Sequence, residues 1–90
     1  MVKYYKTTLN STFDALSDAR RRELLFLIAK KDLNVTELAS CFSVSLPAIS
    51  RHLKVLEKAG VIKRRIRGRE HYFDIVPKAL ADACNWITEL

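Results

Sequence analysis

Cysteine, glycine and proline are scarce in this chain, which has two of each among its 90 residues. Cys41 and Cys84 form neither a CxxC pair nor a cluster with histidine, so we expect reduced thiols, no disulfide framework and no metal site. With few glycines and prolines and no repeat or low-complexity stretch, the chain is expected to consist of short elements joined by tight turns.

Long apolar runs are missing as well. The longest extends from Leu24 to Ala29, far below the roughly 18 residues of a membrane-spanning helix. Residues 1–6 contain no apolar signal-peptide core. We therefore expect a soluble, cytoplasmic protein without a membrane partner.

The chain is too small for two domains or for a deep substrate cavity. A single domain of 10.3 kDa over residues 1–90 leaves a large share of its surface exposed, roughly 40% for a slightly smaller domain. We therefore expect no enzyme with a buried active site. The formal charge of +6 and the isoelectric point near 9.6 favour a polyanionic partner such as nucleic acid.

Apolar periodicity and capping signals predict two helices in the first third of the chain. Residues 1–8 lack periodicity, and an N-terminal arm is predicted over residues 1–10, where Asn10 or Ser11 caps the start of a short helix. A second helix is expected to begin near Ser17 or Asp18 and to end around Lys31.

The remaining elements are predicted from capping boxes, β-branched residues and isolated glycines. Asn34 and Glu37 have capping-box spacing ahead of a short amphipathic helix. Ser45 and Gly60 delimit a longer helix. The β-branched and aromatic residues that follow predict two strands with a turn at Gly68, and then a last helix. The fold class is mostly α with a small β-hairpin, in the order α-α-α-α-β-β-α.

The helix between Ser45 and Gly60 has the outer surface that a major groove about 12 Å wide admits. Ile49, Leu53 and Leu56 form its apolar stripe, whereas Ala48, Arg51, Lys54 and Lys58 point largely the other way. The hairpin adds further cations that could reach phosphates, namely Lys63, Arg64, Arg65, Arg67 and Arg69. A helix-turn-helix followed by a basic hairpin is a winged helix.

Two stretches carry a family resemblance, Val35-Thr36-Glu37-Leu38-Ala39 and the segment from Ser45 to Ile62. With the Arg67-Gly68-Arg69 wing, they resemble the ArsR family of bacterial and archaeal repressors over about Thr12 to Trp86. The resemblance implies a homodimeric winged-helix regulator, usually a repressor that leaves its operator on receiving a signal. The candidate DNA-binding residues are Thr36, Ser45, Leu46, Pro47, Ala48, Ser50, Arg51, His52, Lys54, Arg64, Arg65, Arg67, Gly68 and Arg69.

The last segment, residues 77–90, carries a wider apolar face than one small core can cover, so a second subunit is the simplest cover. The resemblance likewise implies dimerisation through the first and last helices. The candidate dimerisation residues are Phe13, Leu16, Leu80, Ala83, Cys84, Trp86, Ile87 and Leu90. Two recognition helices would meet successive major grooves about 34 Å apart, which predicts an imperfect palindromic operator in double-stranded DNA.

The chain departs from the metal-sensing members that it resembles. Those members carry Cys-x-Cys on the first helix of the motif, where this chain has Asn34-Val35-Thr36, or Asp and His on the last helix, which here has no histidine. We therefore expect the metal-independent subgroup and no cofactor. Both thiols are expected to act as small hydrophobes, and His71 is expected at the surface.

Alternatives remain open. His52 is expected to be either a partly buried structural residue or a phosphate donor. The winged helix could serve as a protein-binding module whose basic hairpin meets an acidic partner. Cys41 and Cys84 could also make the chain a thiol-based redox or metal-responsive regulator.

Overall fold

The computed structural model describes the backbone of residues 2–90 and the side chains of residues 8–90. In this part of the chain, the elements are α1 (Val2–Leu16), α2 (Ala19–Lys30), α3 (Val35–Ser40), α4 (Leu46–Lys58), β1 (Ile62–Arg67), β2 (Glu70–Ile75) and α5 (Pro77–Thr88). The predicted order α-α-α-α-β-β-α is confirmed. None of the described helices is long and apolar enough to cross a membrane.

The predicted arm over residues 1–10 is wrong, because α1 already begins at Val2. Ser11 lies exposed inside the helix rather than at its start. The buried stripe consists of Leu9, Thr12 and Ala15, at the i, i+3 spacing of a helical face. Sequence reasoning missed it because Thr12 is polar. The Thr12 hydroxyl donates to the Thr8 carbonyl at 3.1 Å, which satisfies a polar group that would otherwise be costly to bury.

The predicted helix starts at α2 and α3 are confirmed by their caps. The Asp18 carboxylate accepts from the Arg21 amide at 3.1 Å, and this hydrogen bond lowers the pKa of Asp18. Asn34 and Glu37 form the reciprocal capping box, with both hydrogen bonds at 2.8 Å. A cap of this kind contributes about 1 kcal/mol to stability, which matters for α3 because it has only six residues.

One hydrophobic core lies between α2, α3, α4 and the hairpin. Its fully buried side chains include Leu24, Leu38, Ile49, Leu53, Leu56 and Ile62. Burying each of these side chains contributes roughly 1.5–3 kcal/mol. Because three of them lie on α4, this helix is held with a defined face inward.

The hairpin is a two-stranded antiparallel ribbon in the register Ile62↔Ile75 to Arg67↔Glu70. Gly68 turns the chain with a φ of +64°, a conformation that glycine adopts without steric cost. Tyr72 also forms an isolated antiparallel bridge with Asn34, so β2 is attached to the residue that precedes α3. The hairpin therefore lies against the helix-turn-helix rather than projecting freely.

Candidate nucleic-acid interface

The orientation of α4 follows from its cap and its buried stripe. The Ser45 hydroxyl accepts from the Ala48 amide at 3.3 Å, and Pro47 occupies the first turn, where no amide donor is required. Ile49, Leu53 and Leu56 are at most 1% exposed. The opposite face must therefore point to solvent.

The solvent face of α4 contains the residues predicted to contact DNA. Arg51 and Lys54 are exposed, as are Ser45, Leu46 and Pro47 at the start of the helix. Ala48 and Ser50 are half-buried at its margin. Thr36, on the first turn of α3, is also exposed. A cationic surface with small side chains near the helix start can approach a groove closely.

His52 lies beside the core and is contacted by a residue that sequence reasoning did not single out. An Arg21 guanidinium nitrogen lies 3.3 Å from His52 Nδ1, and Arg21 also donates to the carbonyls of Ala15 at 2.7 Å and Asp14 at 3.0 Å. Because arginine only donates, His52 Nδ1 must accept. The partly buried placement of His52 is confirmed, and Arg21, which lies on α2, joins α4 to the last turn of α1.

The basic residues of β1 separate onto two faces because successive strand residues point to opposite sides. Arg64 shares one face with Ile62, Ile66 and the paired residues Phe73 and His71. Lys63, Arg65 and Arg67 share the other face with Tyr72 and Asp74. The sequence showed one basic run, but the strand distributes it between two environments.

Arg64 is held by a carboxylate and an imidazole. It donates to Glu57 of α4 through Nε at 3.2 Å and through a terminal nitrogen at 2.8 Å. Its other terminal nitrogen lies 2.6 Å from His71 Nδ1. The hydrogen bond from Arg64 lowers the pKa of Glu57. The expectation that His71 is a surface residue is wrong, because it is half-buried against Arg64.

Arg65 is held on the opposite face. It contacts Asp32, in the connection between α2 and α3, at 2.6 Å and Asp74 of β2 at 3.1 Å. Its hydrogen bonds lower the pKa of Asp74 and raise the pKa of Arg65 above the ordinary arginine value. Arg65 therefore ties β1 to β2 and to the start of the helix-turn-helix.

The hairpin tip keeps its cations exposed. Arg67, Gly68 and Arg69 are all exposed. Arg67 also lies over the Tyr72 ring at 5.2 Å from its centroid, a cation–π distance. The Tyr72 hydroxyl donates to Glu70 at 3.0 Å, and this hydrogen bond raises the pKa of Tyr72. The tip thus presents two arginines at the end of an anchored ribbon.

The α1–α5 layer contains the predicted dimerisation residues. Phe13 and Trp86 meet edge to face, with their ring centroids 5.8 Å apart. Ile87 is 52% exposed and Leu90 is 88% exposed, whereas Ala83 is buried within the chain itself. Leu16 and Leu80 are partly buried against the core. Within the α1–α5 layer, the exposed apolar surface is therefore concentrated at the C-terminal end of α5 and just beyond it.

The expectation that both cysteines act as buried small hydrophobes is wrong, because Cys41 and Cys84 are exposed. Cys41 is the C-cap of α3 and follows its last buried residue, Leu38. Cys84 lies one position after Ala83, which turns it about 100° away from the buried stripe. Among the described residues, no group of three or more His, Cys, Asp or Glu side chains is placed to hold a metal ion.

Comparison with known proteins identifies the family. The sequence model of the arsR family of bacterial regulatory proteins matches residues 18–64, about half of the chain. The chain belongs to the ArsR family. This ArsR-family chain is 35% identical over 79 residues to the transcriptional repressor SdpR of Bacillus subtilis (strain 168), covering 88% of each protein.

Solved structures support the same fold. An ArsR-like transcriptional regulator from Rhodococcus sp. RHA1 matches with a TM-score of 0.83 and 29% identity, covering 99% of this chain and 82% of that one. A fragment (1–100) from Mycobacterium bovis, described as a homodimeric winged helix-turn-helix DNA-binding domain, matches with a TM-score of 0.77 and 22% identity. It covers 92% of this chain and 79% of that one. The predicted family and winged-helix fold are confirmed.

Proposed function

We propose that this protein is a sequence-specific, double-stranded DNA-binding transcriptional repressor that acts as a homodimer. The observation that carries the proposal is α4, whose apolar stripe is fully buried and whose exposed face bears Arg51 and Lys54. The name of the relative SdpR, a transcriptional repressor, supports the direction of regulation. Binding would repress by occluding the promoter. The function needs no catalytic group, metal or cofactor, and we expect the protein to act in the cytoplasm.

The proposed contacts divide into base edges and phosphates. Arg51 and Ser50 of α4 are assigned to base edges in the major groove, where arginine pairs best with guanine. Thr36, Ser45 and Lys54 are assigned to phosphates. The wing tip, residues 67–69, is assigned to the phosphate backbone beside the major-groove site or to a narrow minor groove, whose negative potential attracts arginine.

The dimer is proposed from the uncovered apolar end of α5. Ile87 and Leu90 would be covered by a second copy of the chain. The Mycobacterium bovis fragment is described as homodimeric, which supports this arrangement. A two-fold axis between the α1–α5 layers places two recognition helices on one side of the duplex, so the operator should be an imperfect palindrome.

Selection of bound sites from random duplexes tests the proposal directly. The expected result is an enriched imperfect palindrome with half-sites one helical turn apart. The logarithm of its affinity should fall with the logarithm of salt concentration at about −0.9 per neutralised phosphate. No enrichment and no binding at low salt would refute the function. Capture of an acidic protein under the same conditions would instead favour a protein-binding winged helix.

A further inference from the structure

The network around Arg64 joins the hairpin to the recognition helix. Arg64 lies on β1 and Glu57 near the end of α4, and their bidentate contact is closed by hydrogen bonds of 2.8 and 3.2 Å. Two parallel hydrogen bonds between a guanidinium and a carboxylate fix orientation as well as distance. This residue pair therefore helps to fix the angle between the two elements that are proposed to face DNA.

The remaining surroundings of Arg64 restrict it further. Its guanidinium carbon lies 4.8 Å from the centroid of the Phe73 ring, and Phe73 is 3% exposed. His71 occupies its second terminal nitrogen at 2.6 Å. Hydrogen bonds, a buried ring and strand direction all hold the guanidinium toward α4. Each of its three nitrogens makes a hydrogen bond within the protein, unlike those of an arginine that is free in solvent to contact phosphate.

The opposite face of the hairpin is held independently. Arg65 joins Asp32 to Asp74, and Tyr72 bridges to Asn34 beside α3. The hairpin is thus fixed on one face to α4 and on the other to the segment that precedes α3. With both faces tied, the exposed tip has a defined position relative to Arg51 and Lys54.

We propose that Arg64 is a positioning residue for DNA binding, acting through Glu57 rather than by contacting DNA. The Arg64–Glu57 pair holds the wing so that Arg67 and Arg69 reach the backbone while α4 occupies the groove. The inference rests on the proposed DNA-binding function. It reassigns Arg64 within the predicted set of DNA-contacting residues and adds Glu57, an acidic residue that composition alone would count against DNA binding.

Neutralising Glu57 separates this role from simple electrostatics. Glu57→Gln raises the net charge by one, and the longer-range field alone would then strengthen binding to a polyanion. Loss of the bidentate Arg64–Glu57 contact predicts the opposite result, an affinity for the selected duplex that is about threefold to tenfold weaker. Glu23→Gln is the matched control, because Glu23 is an exposed carboxylate of α2 that, among residues 8–90, pairs only with Arg20, at 3.7 Å. It should bind as tightly as the unmodified protein or slightly more tightly.

Substitution of Arg64 supplies the second arm. Arg64→Lys keeps the charge but loses the bidentate fork, so it should weaken binding about as much as Glu57→Gln. The slope of log affinity against log salt should stay unchanged, because no phosphate contact is lost. Arg67→Gln is the comparison variant, and its slope of log affinity against log salt should become shallower by about one unit. Hydroxyl-radical footprints at saturating protein should keep their protection at the wing and in the α4 groove, because the bound contacts are the same and only the free-energy cost of positioning the wing rises.

The outcomes separate the two proposals. Thermal unfolding must first show each variant folded at the assay temperature, so that a merely destabilised protein is recognised by a lower Tm with unchanged affinity. Tighter binding by Glu57→Gln, full retention of affinity by Arg64→Lys, or a shallower salt slope in that variant would each overturn the positioning role. If the unmodified protein binds no DNA at all, the proposed function fails and this inference fails with it.

Discussion

At the scale of single residues, neighbours within 5 Å separate the basic side chains that look equivalent in the sequence. Arg64 and Arg65 are each engaged by carboxylates, and Arg21 by a histidine and two backbone carbonyls. Arg51 and Lys54 remain exposed on α4. The distinction matters because a guanidinium that already donates to groups of its own chain stabilises the fold and has fewer donors left for DNA.

Arg51 is the residue most suited to reading a base, because it projects from the exposed middle of α4. Replacing Arg51 with Ala should cost on the order of 1–3 kcal/mol of binding free energy and relax the preference at one base position. Titration of the selected duplex and of single-base variants measures both effects. Lower affinity with unchanged base preference would assign Arg51 to a phosphate.

The same scale shows why paired charges escaped sequence reasoning. Glu57 precedes Arg64 by seven positions, and Asp32 precedes Arg65 by thirty-three. The spacing of charges in the sequence predicts ion pairs only within one element. Ion pairs between a helix and a strand form only where tertiary packing brings the two elements together. The half-buried position of His71 follows from the same contact with Arg64 and was missed for the same reason.

At the scale of elements, caps and turn residues were the most informative signals. Asp18, Asn34 and Ser45 cap the helices that they were predicted to cap. Gly60 and Gly68 adopt the positive φ angles expected of turn glycines. The start of α1 could not be found in this way, since no Ser, Thr, Asp or Asn precedes Val2 in the sequence and the buried stripe passes through the polar Thr12.

The wing tip is the element expected to bind without base preference. Replacing Arg67 and Arg69 together with Ala should weaken binding to all duplexes alike and reduce the salt slope by about one per lost contact. Affinities for specific and random duplexes at several salt concentrations test this. If the loss is confined to sites flanked by A·T pairs, the tip reads minor-groove width instead.

Acid should loosen the hairpin before the core. The pKa values of Glu57 and Asp74 are lowered in the folded protein because arginine donates to each carboxylate. A lowered pKa contributes stability that is fully present above the ordinary values of 4.5 and 3.8 and is lost as pH falls through the folded values. The free energy of unfolding should therefore decline below about pH 4.5.

Urea unfolding at a series of pH values measures this dependence. Glu57→Gln should be less stable than the unmodified protein near neutral pH and should show a shallower decline in acid, because one of the titrating pairs is gone. Asp18, whose pKa is also lowered, should retain its share of the decline. Parallel curves for the two proteins would show that the Glu57 carboxylate contributes nothing to the acid dependence of stability.

At the scale of the whole molecule, the two proposed functional surfaces lie on different elements. The α3–α4–hairpin surface carries exposed cations such as Arg51, Lys54 and Arg67, whereas Ile87 and Leu90 are exposed at the C-terminal end of α5 and just beyond it. The sequence indicated both surfaces, because helical stripes reveal which apolar residues one small core cannot cover. It did not reveal that Ala83 is buried within its own chain, since the α1–α5 packing that buries it depends on tertiary geometry.

Dimerisation should depend on Ile87, which is exposed and apolar near the end of α5. Ile87→Asp should yield a monomer of unchanged helix content, and its affinity for the palindrome should fall on the order of 10²-fold, because the advantage of linked half-sites is lost. Light scattering coupled to size exclusion measures the mass, and titration measures the affinity.

The matched control is Ile66→Asp, because Ile66 is 63% exposed and lies on β1 of the hairpin rather than on α1 or α5. It should leave the mass of the assembly unchanged. A monomeric mass for the unmodified protein at micromolar concentration would contradict the proposed dimer.

The anchoring of the hairpin on both faces has a consequence for induction. The wing of each protomer is therefore expected to move together with α3 and α4. It cannot rotate relative to them without breaking the Arg64–Glu57 hydrogen bonds or the Tyr72–Asn34 bridge. If the proposed dimer forms through α1 and α5, we expect a signal that releases the operator to act where these helices meet their copies. The signal would change the distance between the two recognition helices until that distance no longer matches the helical repeat of the duplex.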